Sequence, residues 1–303
     1  MTQSSATIYG DLVSAETLNE MKRKMATQLY AMSMITNLTN RVQTGINTLQ
    51  IPDITTSAAQ IKAIGTDFDA PSGESYSSKT LTMSLKAGNP FYVEHDYGAQ
   101  TPVNIYKEKA AAAAGNILLA MDALVLAGMI GAVENAANVD FAGAASVVDT
   151  ISKLDFTNAR KYITGKGAPL DGRFCLIDQD HEAQLYSISD FISADKIAKT
   201  AKTPITDGFI GRLAGFDIVL LSHIPQVDKA GAINATAAKN DSYPVIFGQS
   251  IAYCWAKQFV ETLSTVAPLS VSDLFVPYNI WGHKDLEASY LYMVSDETTA
   301  DPT

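Results

Sequence analysis

Thiols are scarce in this 303-residue sequence: Cys175 and Cys254 stand alone, with no CxxC pair. That excludes a cysteine zinc site and a disulfide framework, and it fits a reduced, cytoplasmic setting. Histidine is equally thin. His95, His181, His223 and His283 are scattered, with no HExxH or HxH pairing. There is no GxSxG elbow to expose a serine nucleophile. Gly165-Lys166-Gly167 lacks the spacing of a phosphate-binding loop, and Gly208, Gly211 and Gly215 do not make the dinucleotide fingerprint. Such glycines serve turns that need positive φ. The run Asp178, Asp180, His181, Glu182 suggests a metal at first sight. Ligands crowded into five residues at a helix start do not converge on one point, however. Asp178 as N-cap, with Asp180 and Glu182 facing the positive end of the helix dipole, accounts for the run. No catalytic, cofactor-binding or metal-ligating set emerges.

Positive charge is also short. Lys and Arg number 22 against 32 Asp and Glu, a net charge of −10, which excludes a general nucleic-acid-binding face. Charged residues make up 18% of the chain, low for a small monomeric enzyme, which suggests surface buried against partners. The apolar fraction of 47% and the length allow two or so packed regions.

What the sequence does hold is one long alanine-rich segment, residues 101–133. Thr101 and Pro102 make a strong helix start, a hydroxyl cap followed by the fixed φ of proline. Ala110 to Ala114 have the best helix propensity, and from Gly115 to Val133 only Asp122 is ionisable. At 1.5 Å per residue the helix spans on the order of 50 Å. It is long enough to cross a bilayer. Against this stand weakly apolar alanine and glycine, an Asp122 costing roughly 3 kcal/mol at mid-membrane, and the absence of flanking basic residues. No positive region followed by an apolar run opens the chain, so no signal peptide is expected. The expected helix is soluble, with small residues that admit close-packed neighbours.

Around it the periods change. Leu18, Met21, Met25, Leu29, Met32 and Ile35 recur at helical spacing. That amphipathic helix either covers its own core or docks on a neighbouring subunit. Residues 80–85 and 91–95 alternate as strands, and residues 51–54 and 61–64 read as an outgoing strand turning through 69–73. This two-stranded excursion is too polar at its tip for a core hairpin, and a lone hairpin is marginal in water. Further on, the pattern predicts a helix over 147–163, a strand over 173–177, a helix from 179 to 185, and a glycine-punctuated turn over 208–217. Strands follow over 218–221, 245–247, 259–263 and 288–294. Helix and strand mix without βαβ alternation, so the class is α+β.

This order of elements resembles the major capsid proteins of tailed bacteriophages, which have the Hong Kong 97 capsid fold. The local likeness is strongest from Lys153-Leu154-Asp155 to Pro225. It includes the strand 173–177 followed by Asp178, the segment Phe191-Ile192-Ser193-Ala194-Asp195, and the string Gly208-Phe209-Ile210-Gly211-Arg212-Leu213-Ala214-Gly215-Phe216-Asp217-Ile218-Val219. The resemblance implies an N-terminal arm over 1–45 and an extended loop with flanking strands over 46–100. It implies a peripheral domain over 101–133 and 253–303 with a spine helix, and an axial domain over 134–252. Ile54, Ile64, Phe68 and Tyr76 in the loop, with Gly208, Gly211 and Arg212 in the axial region, become the expected assembly interface. Gly115 becomes the expected bend of the spine helix.

The implied function is structural and not enzymatic: self-assembly as pentamers and hexamers into an icosahedral shell around double-stranded DNA, bound without sequence specificity. The shell would form in the host bacterial cytoplasm, mature from a procapsid, and end in the virion. A separate scaffolding protein is expected, because about 45 residues before the hairpin are too few for a built-in one. A portal and a decoration protein are further implied partners, with no membrane. Some relatives are joined by lysine–asparagine isopeptide bonds; Lys62, Lys79 or Lys86 and Asn279 offer the residue types, but ordinary surface lysines are expected. Two rival readings remain. One is an encapsulin nanocompartment shell of the same fold; the other is an α+β enzyme with a cleft in 134–252, which would need convergent polar groups.

Overall fold

The computed structural model describes residues 31–43, 46–55, 59–70, 73–94, 105–136, 139–141, 151–186, 188, 209–227, 243–266 and 272–295. The expected cap at Thr101 and Pro102, and most of the amphipathic N-terminal stretch, lie outside them. Of that stretch a short helix, α1 (Ala31–Met34), is described.

The long helix, α2, runs unbroken from Ile105 to Asn135. Ala110, Ala113 and Ala114, then Ile117, Leu118, Met121, Val125, Leu126, Met129, Ile130 and Val133 are buried at steps of three and four. Their partners are two sheets. The first has five strands: β1 (Thr36–Asn37), β4 (Leu85–Gly88), β5 (Phe91–Glu94), β11 (Tyr253–Val266) and β12 (Ser272–Asp285). β11 and β12 form a long antiparallel hairpin with a register shift between Lys257 and Phe259, a bulge of the kind that bends a strand. β5 and β4 pair with successive stretches of β12, at Ser272–Phe275 and Tyr278–Trp281. Phe275, Asn279 and Trp281 share one strand face, as the two-residue period demands. Phe275 meets Tyr106 edge-on at 5.3 Å, and the Asn279 amide reaches the Met121 sulfur at 3.1 Å.

The second sheet has six strands in the order β6-β13-β10-β7-β9-β8. These are β6 (Val139–Phe141), β7 (Arg173–Ile177), β8 (Phe209–Leu213), β9 (Phe216–Leu220), β10 (Val245–Gln249) and β13 (Leu291–Ser295). Alternate residues serve two cores. Phe174, Leu176, Val219, Ile246, Leu291 and Met293 pack with α2. Cys175, Ile177, Ile218, Phe247, Tyr292 and Val294 pack on Phe156, Ala159 and Ile163 of the helix α3 (Lys153–Gly165). A sheet buried on both faces reads as continuous apolar runs, which is why β7 and β10 are buried at every residue.

Several expectations need correction. The second helix starts at Lys153, not near 147, because Ser152 and Asp155 make a capping box there. Residues 61–64 are not a strand; the outgoing strand is β2 (Thr48–Thr55), pairing with β3 (Ser75–Thr82). Residues 91–94 belong to the five-stranded sheet and not to the excursion. Of the expected turn over 208–217, the described residues 209–217 are not simply a turn: β8 and β9 are antiparallel strands joined at Ala214-Gly215, both at positive φ, as in a tight hairpin turn. Strand 288–294 begins only at Leu291, after a 3₁₀ turn at Ala288–Tyr290. Asp178 does occupy the N-cap position of helix α4 (Gln179–Leu185), yet its side chain makes no capping bond.

The glycines of α2 separate cleanly. A Cβ on Gly115 would meet nothing within 4 Å, whereas one on Gly128 would fall 2.1 Å from the Tyr253 hydroxyl and 2.8 Å from the His283 ring. Those two side chains are themselves hydrogen-bonded at 2.7 Å. Gly115→Ala is expected to stabilise the subunit by up to about 1 kcal/mol through helix propensity. Gly128→Ala is expected to destabilise it by about 1–3 kcal/mol through overpacking. Urea denaturation of both variants reads the difference, and equal midpoints would contradict the assigned packing.

Candidate assembly surfaces

The β2–β3 pair runs in register from Thr48↔Thr82 to Thr55↔Ser75 and, among the described residues, pairs with no third strand. Its base is fixed to the body. Leu81 is buried with Leu38, Cys254 and Ala256, and Met83 N–H donates to the Asn47 carbonyl at 2.8 Å. The Lys79 ammonium donates to the Leu286 carbonyl. Gly282 passes so close to Thr82 that a Cβ there would sit 2.1 Å from its carbonyl oxygen. Only glycine admits that crossing.

Beyond this base the described residues leave the arm exposed. Ser75 to Ser78 are exposed on every residue. The loop over 59–70 is shaped by its own polar contacts: Gln60 exchanges two hydrogen bonds with Asp69, at 3.2 and 2.8 Å, and Lys62 pairs with Asp69 at 2.7 Å. On this scaffold Ile61 and Ile64 are fully exposed, Phe68 is 72% exposed and Tyr76 is 76% exposed. Burying each such side chain is worth roughly 1.5–3 kcal/mol, so the tip holds a large unused driving force. Ile64 and Phe68 of the expected set share this loop, and Tyr76 lies opposite Ile54 across the β2–β3 pair. Ile61, as exposed as Ile64, belongs with them but was not in the expected set.

The second expected group lies on the six-stranded sheet. Gly208 is outside the described residues. Gly211 follows the β8 register shift. Arg212 is exposed, with Nε 3.5 Å from the Asp217 carboxylate and a terminal nitrogen donating to the Gly215 carbonyl at 3.4 Å. These groups stiffen the hairpin and leave the guanidinium half in solvent. Among the described residues no cluster of three His, Cys, Asp or Glu side chains gathers. Both thiols are buried, and burial pushes Cys254 up to about 12 and Cys175 well above its ordinary value.

Sequence reasoning missed the most connected polar group. Asp122, fully buried on α2, accepts the Ala31 N–H at 3.2 Å and the Met32 N–H at 2.8 Å, and lies 2.6 Å from His223 Nε2. The indole of Trp255 donates to the Met32 carbonyl at 3.0 Å, and Thr36 and Leu38 continue along β11 in a parallel pairing. The chain emerging from its first thirty residues is thus pinned to α2, to the loop after β9 and to β11. The available signal was the solitary carboxylate in an apolar helix, which must find partners if it is buried.

No protein-family model and no curated protein matches the sequence. Solved structures do match over most of the length. The capsid of the cyanophage P-SCSP1u aligns at TM-score 0.64 and 13% identity, covering 90% of this chain and 89% of that one. The capsid of Ralstonia phage GP4 aligns at TM-score 0.64 and 10% identity, covering 89% and 88%. A chain of Mycobacterium phage Che8 aligns at TM-score 0.60 and 17% identity, covering 89% and 92%. The protein has the Hong Kong 97 capsid fold.

Asp122→Ala leaves two backbone N–H groups and His223 without their acceptor. The expected loss of stability is about 3–5 kcal/mol, as for breaking a buried charged network. His223→Gln keeps the two backbone bonds and is expected to cost less than half as much. Urea denaturation of the two variants checks the order, and a neutral Asp122→Ala would contradict the pin.

Proposed function

We propose that this chain is a structural, non-catalytic major capsid protein of a tailed bacteriophage. It assembles as pentamers and hexamers into an icosahedral shell around double-stranded DNA. The observation that carries the reading is the β2–β3 arm, whose tip displays Ile61, Ile64, Phe68 and Tyr76 exposed. A heterologous contact repeated around closed symmetry supplies what the tip lacks: a neighbour to lie on. Obligate interfaces of this kind bury roughly 2,000–5,000 Å², enough to hold an arm that is marginal alone. Ile54, Ile64, Phe68 and Tyr76 take that contact, joined by Ile61. The hairpin carrying Gly208, Gly211 and Arg212 meets its copies around the axes.

The domain reading follows the same proposal: arm over 1–45, extended loop over 46–100, peripheral domain over 101–133 and 253–303, axial domain over 134–252. Pairing of β13 inside the six-stranded sheet supports moving 291–295 to the axial side. Assembly takes place in the host cytoplasm with a separate scaffolding protein, and a portal and a decoration protein complete the partners. A net charge of −10 favours packaged DNA held loosely and without sequence preference. Gly115 is the bend that lets α2 adjust as the shell matures, since nothing packs against its open side.

Electron microscopy of the purified protein is expected to show closed shells of uniform diameter. Deleting residues 57–77 is expected to leave a folded subunit, by circular dichroism, that forms no shells; intact shells from that deletion would end the overlapping-arm reading. Assembled shells boiled in detergent are expected to release monomers, and a covalent ladder would reverse this. Gly115→Ala shells are expected to form but to expand abnormally, as read by their diameter after acid or heat treatment.

A further inference from the structure

An open groove of about 460 Å³ lies between α3 and β13, lined by Asn158, Lys161, Tyr162, Gly165, Lys166 and Tyr292. Leu154, Asn158, Lys161 and Gly165 follow one another at steps of three and four, so they form one stripe of α3. Leu154 is 64% exposed and extends the stripe one turn towards the helix start. Tyr162 and Tyr292 make the floor, with ring centroids 5.1 Å apart, and the Lys166 ammonium sits 5.3 Å over the Tyr162 ring.

The charge here is one-sided. Arg160, Lys161 and Lys166 are exposed, and among the described residues none of them has a carboxylate partner. Arg173 of β7 adds a fourth, buried cation. Its guanidinium donates to the Pro169 and Ala168 carbonyls, at 2.8 and 2.9 Å, and to the Thr164 hydroxyl at 2.9 Å. These neutral acceptors brace the loop that carries Lys166 and cancel no charge. Burial, and after it the nearby Arg160, lower the Arg173 pKa, so the cations crowd one another. The single carboxylate of α3, Asp155, is held at the opposite end by the Ser152 N–H and hydroxyl, at 2.7 and 2.8 Å. The negative end of a helix dipole amounts to roughly half a charge, far less than four cations. The surplus calls for an anionic occupant.

Two kinds of anionic chain suit a row of cations, and the rest of the groove separates them. A nucleic acid needs open aromatic faces on which to stack its bases. Tyr292 is only 6% exposed, and the Tyr162 ring is already engaged by Tyr292 and Lys166. Leu154 instead offers an apolar contact on the same stripe as Lys161, which a peptide side chain can use. From Leu154 to Gly165 the stripe is about 16 Å long at 1.5 Å per residue. An extended peptide of about five residues covers it, with every second side chain facing the groove. Lys161 and Lys166 lie about 7.5 Å apart along the axis, close to the roughly 7 Å between carboxylates two residues apart on an extended chain.

We propose that the groove between α3 and β13 binds an extended acidic segment of a second protein, with an apolar side chain on Leu154 and two carboxylates, two residues apart, on Lys161 and Lys166. This surface is separate from the arm and from the Arg212 hairpin, and it does not depend on the shell reading.

The test uses the full chain and a fluorescein-labelled peptide, Leu-Ser-Glu-Ser-Glu, followed by fluorescence polarisation at low salt. Saturable binding is expected below about 1 mM peptide. Replacing both peptide glutamates by glutamine is expected to weaken it about tenfold, as is Lys161→Glu combined with Lys166→Glu. Leu154→Asn is expected to weaken it about threefold. Lys107→Glu combined with Lys109→Glu, at two exposed cations of α2, is expected to leave it unchanged. All the altered residues are exposed, so circular dichroism is expected to show each variant folded. The glutamine peptide tests the unaltered chain in any case. No saturation, equal losses from the two pairs of lysines, or displacement of the peptide by an oligothymidylate at lower concentration would overturn the proposal. So would a Lys161→Glu, Lys166→Glu variant that loses self-association and keeps peptide binding, because a second copy would then be the occupant.

Discussion

Everything in this subunit is organised around one buried carboxylate. Asp122 sits where α1, the loop after β9 and the long helix meet, and it holds the first two with three short contacts. The cost of removing a carboxylate from water is large, and it is offset here by two backbone donors and an imidazole. A helix whose remaining inner face is wholly apolar would accept many sliding registers against a sheet. The Asp122 contacts select one, and with it the point at which the N-terminal segment enters the body. Specificity of position, more than stability, is what such a group contributes in an apolar wall.

How much of this was readable from the chain varies element by element, for physical reasons. α2 announced itself because buried residues on a helix must repeat at 3.6, and strands β7 and β10 did so because a doubly covered sheet leaves no polar alternation. β12 was overlooked for the opposite reason. It contains Pro277 and a buried Asn279, residue types that argue against a long strand, and each is tolerated by local circumstance. Pro277 sits between partners without needing its missing donor, and its carbonyl still accepts from Asn89. The tip of the arm misled differently. Ile61 and Ile64 look like strand residues because apolar side chains normally signal burial, and the described residues bury neither. Asp122 was read only as an argument against lipid, since a single sequence does not say which backbone groups a carboxylate will meet.

The two classes of glycine in the long helix make a related point. Gly115 and Gly128 each follow an alanine in the same apolar helix. Only packing separates them: one faces open space, the other lies under Tyr253 and His283. Small residues in a shared helix therefore do two jobs, close approach at one site and slack at another, and composition does not distinguish them.

The threading of the sheets sets a clock for the subunit. The five-stranded sheet draws on residues 36–37, 85–94 and 253–285, while the six-stranded sheet is bracketed by β6 near residue 140 and completed by β13 at 291–295. Neither sheet is whole until β12 (Ser272–Asp285) and β13 (Leu291–Ser295) have left the ribosome, and long-range pairings of this sort form late and slowly. A nascent chain therefore completes the two sheets, and with them the rigid base that presents the arm, only once those strands have emerged. Topology alone keeps an incomplete chain from presenting a finished arm.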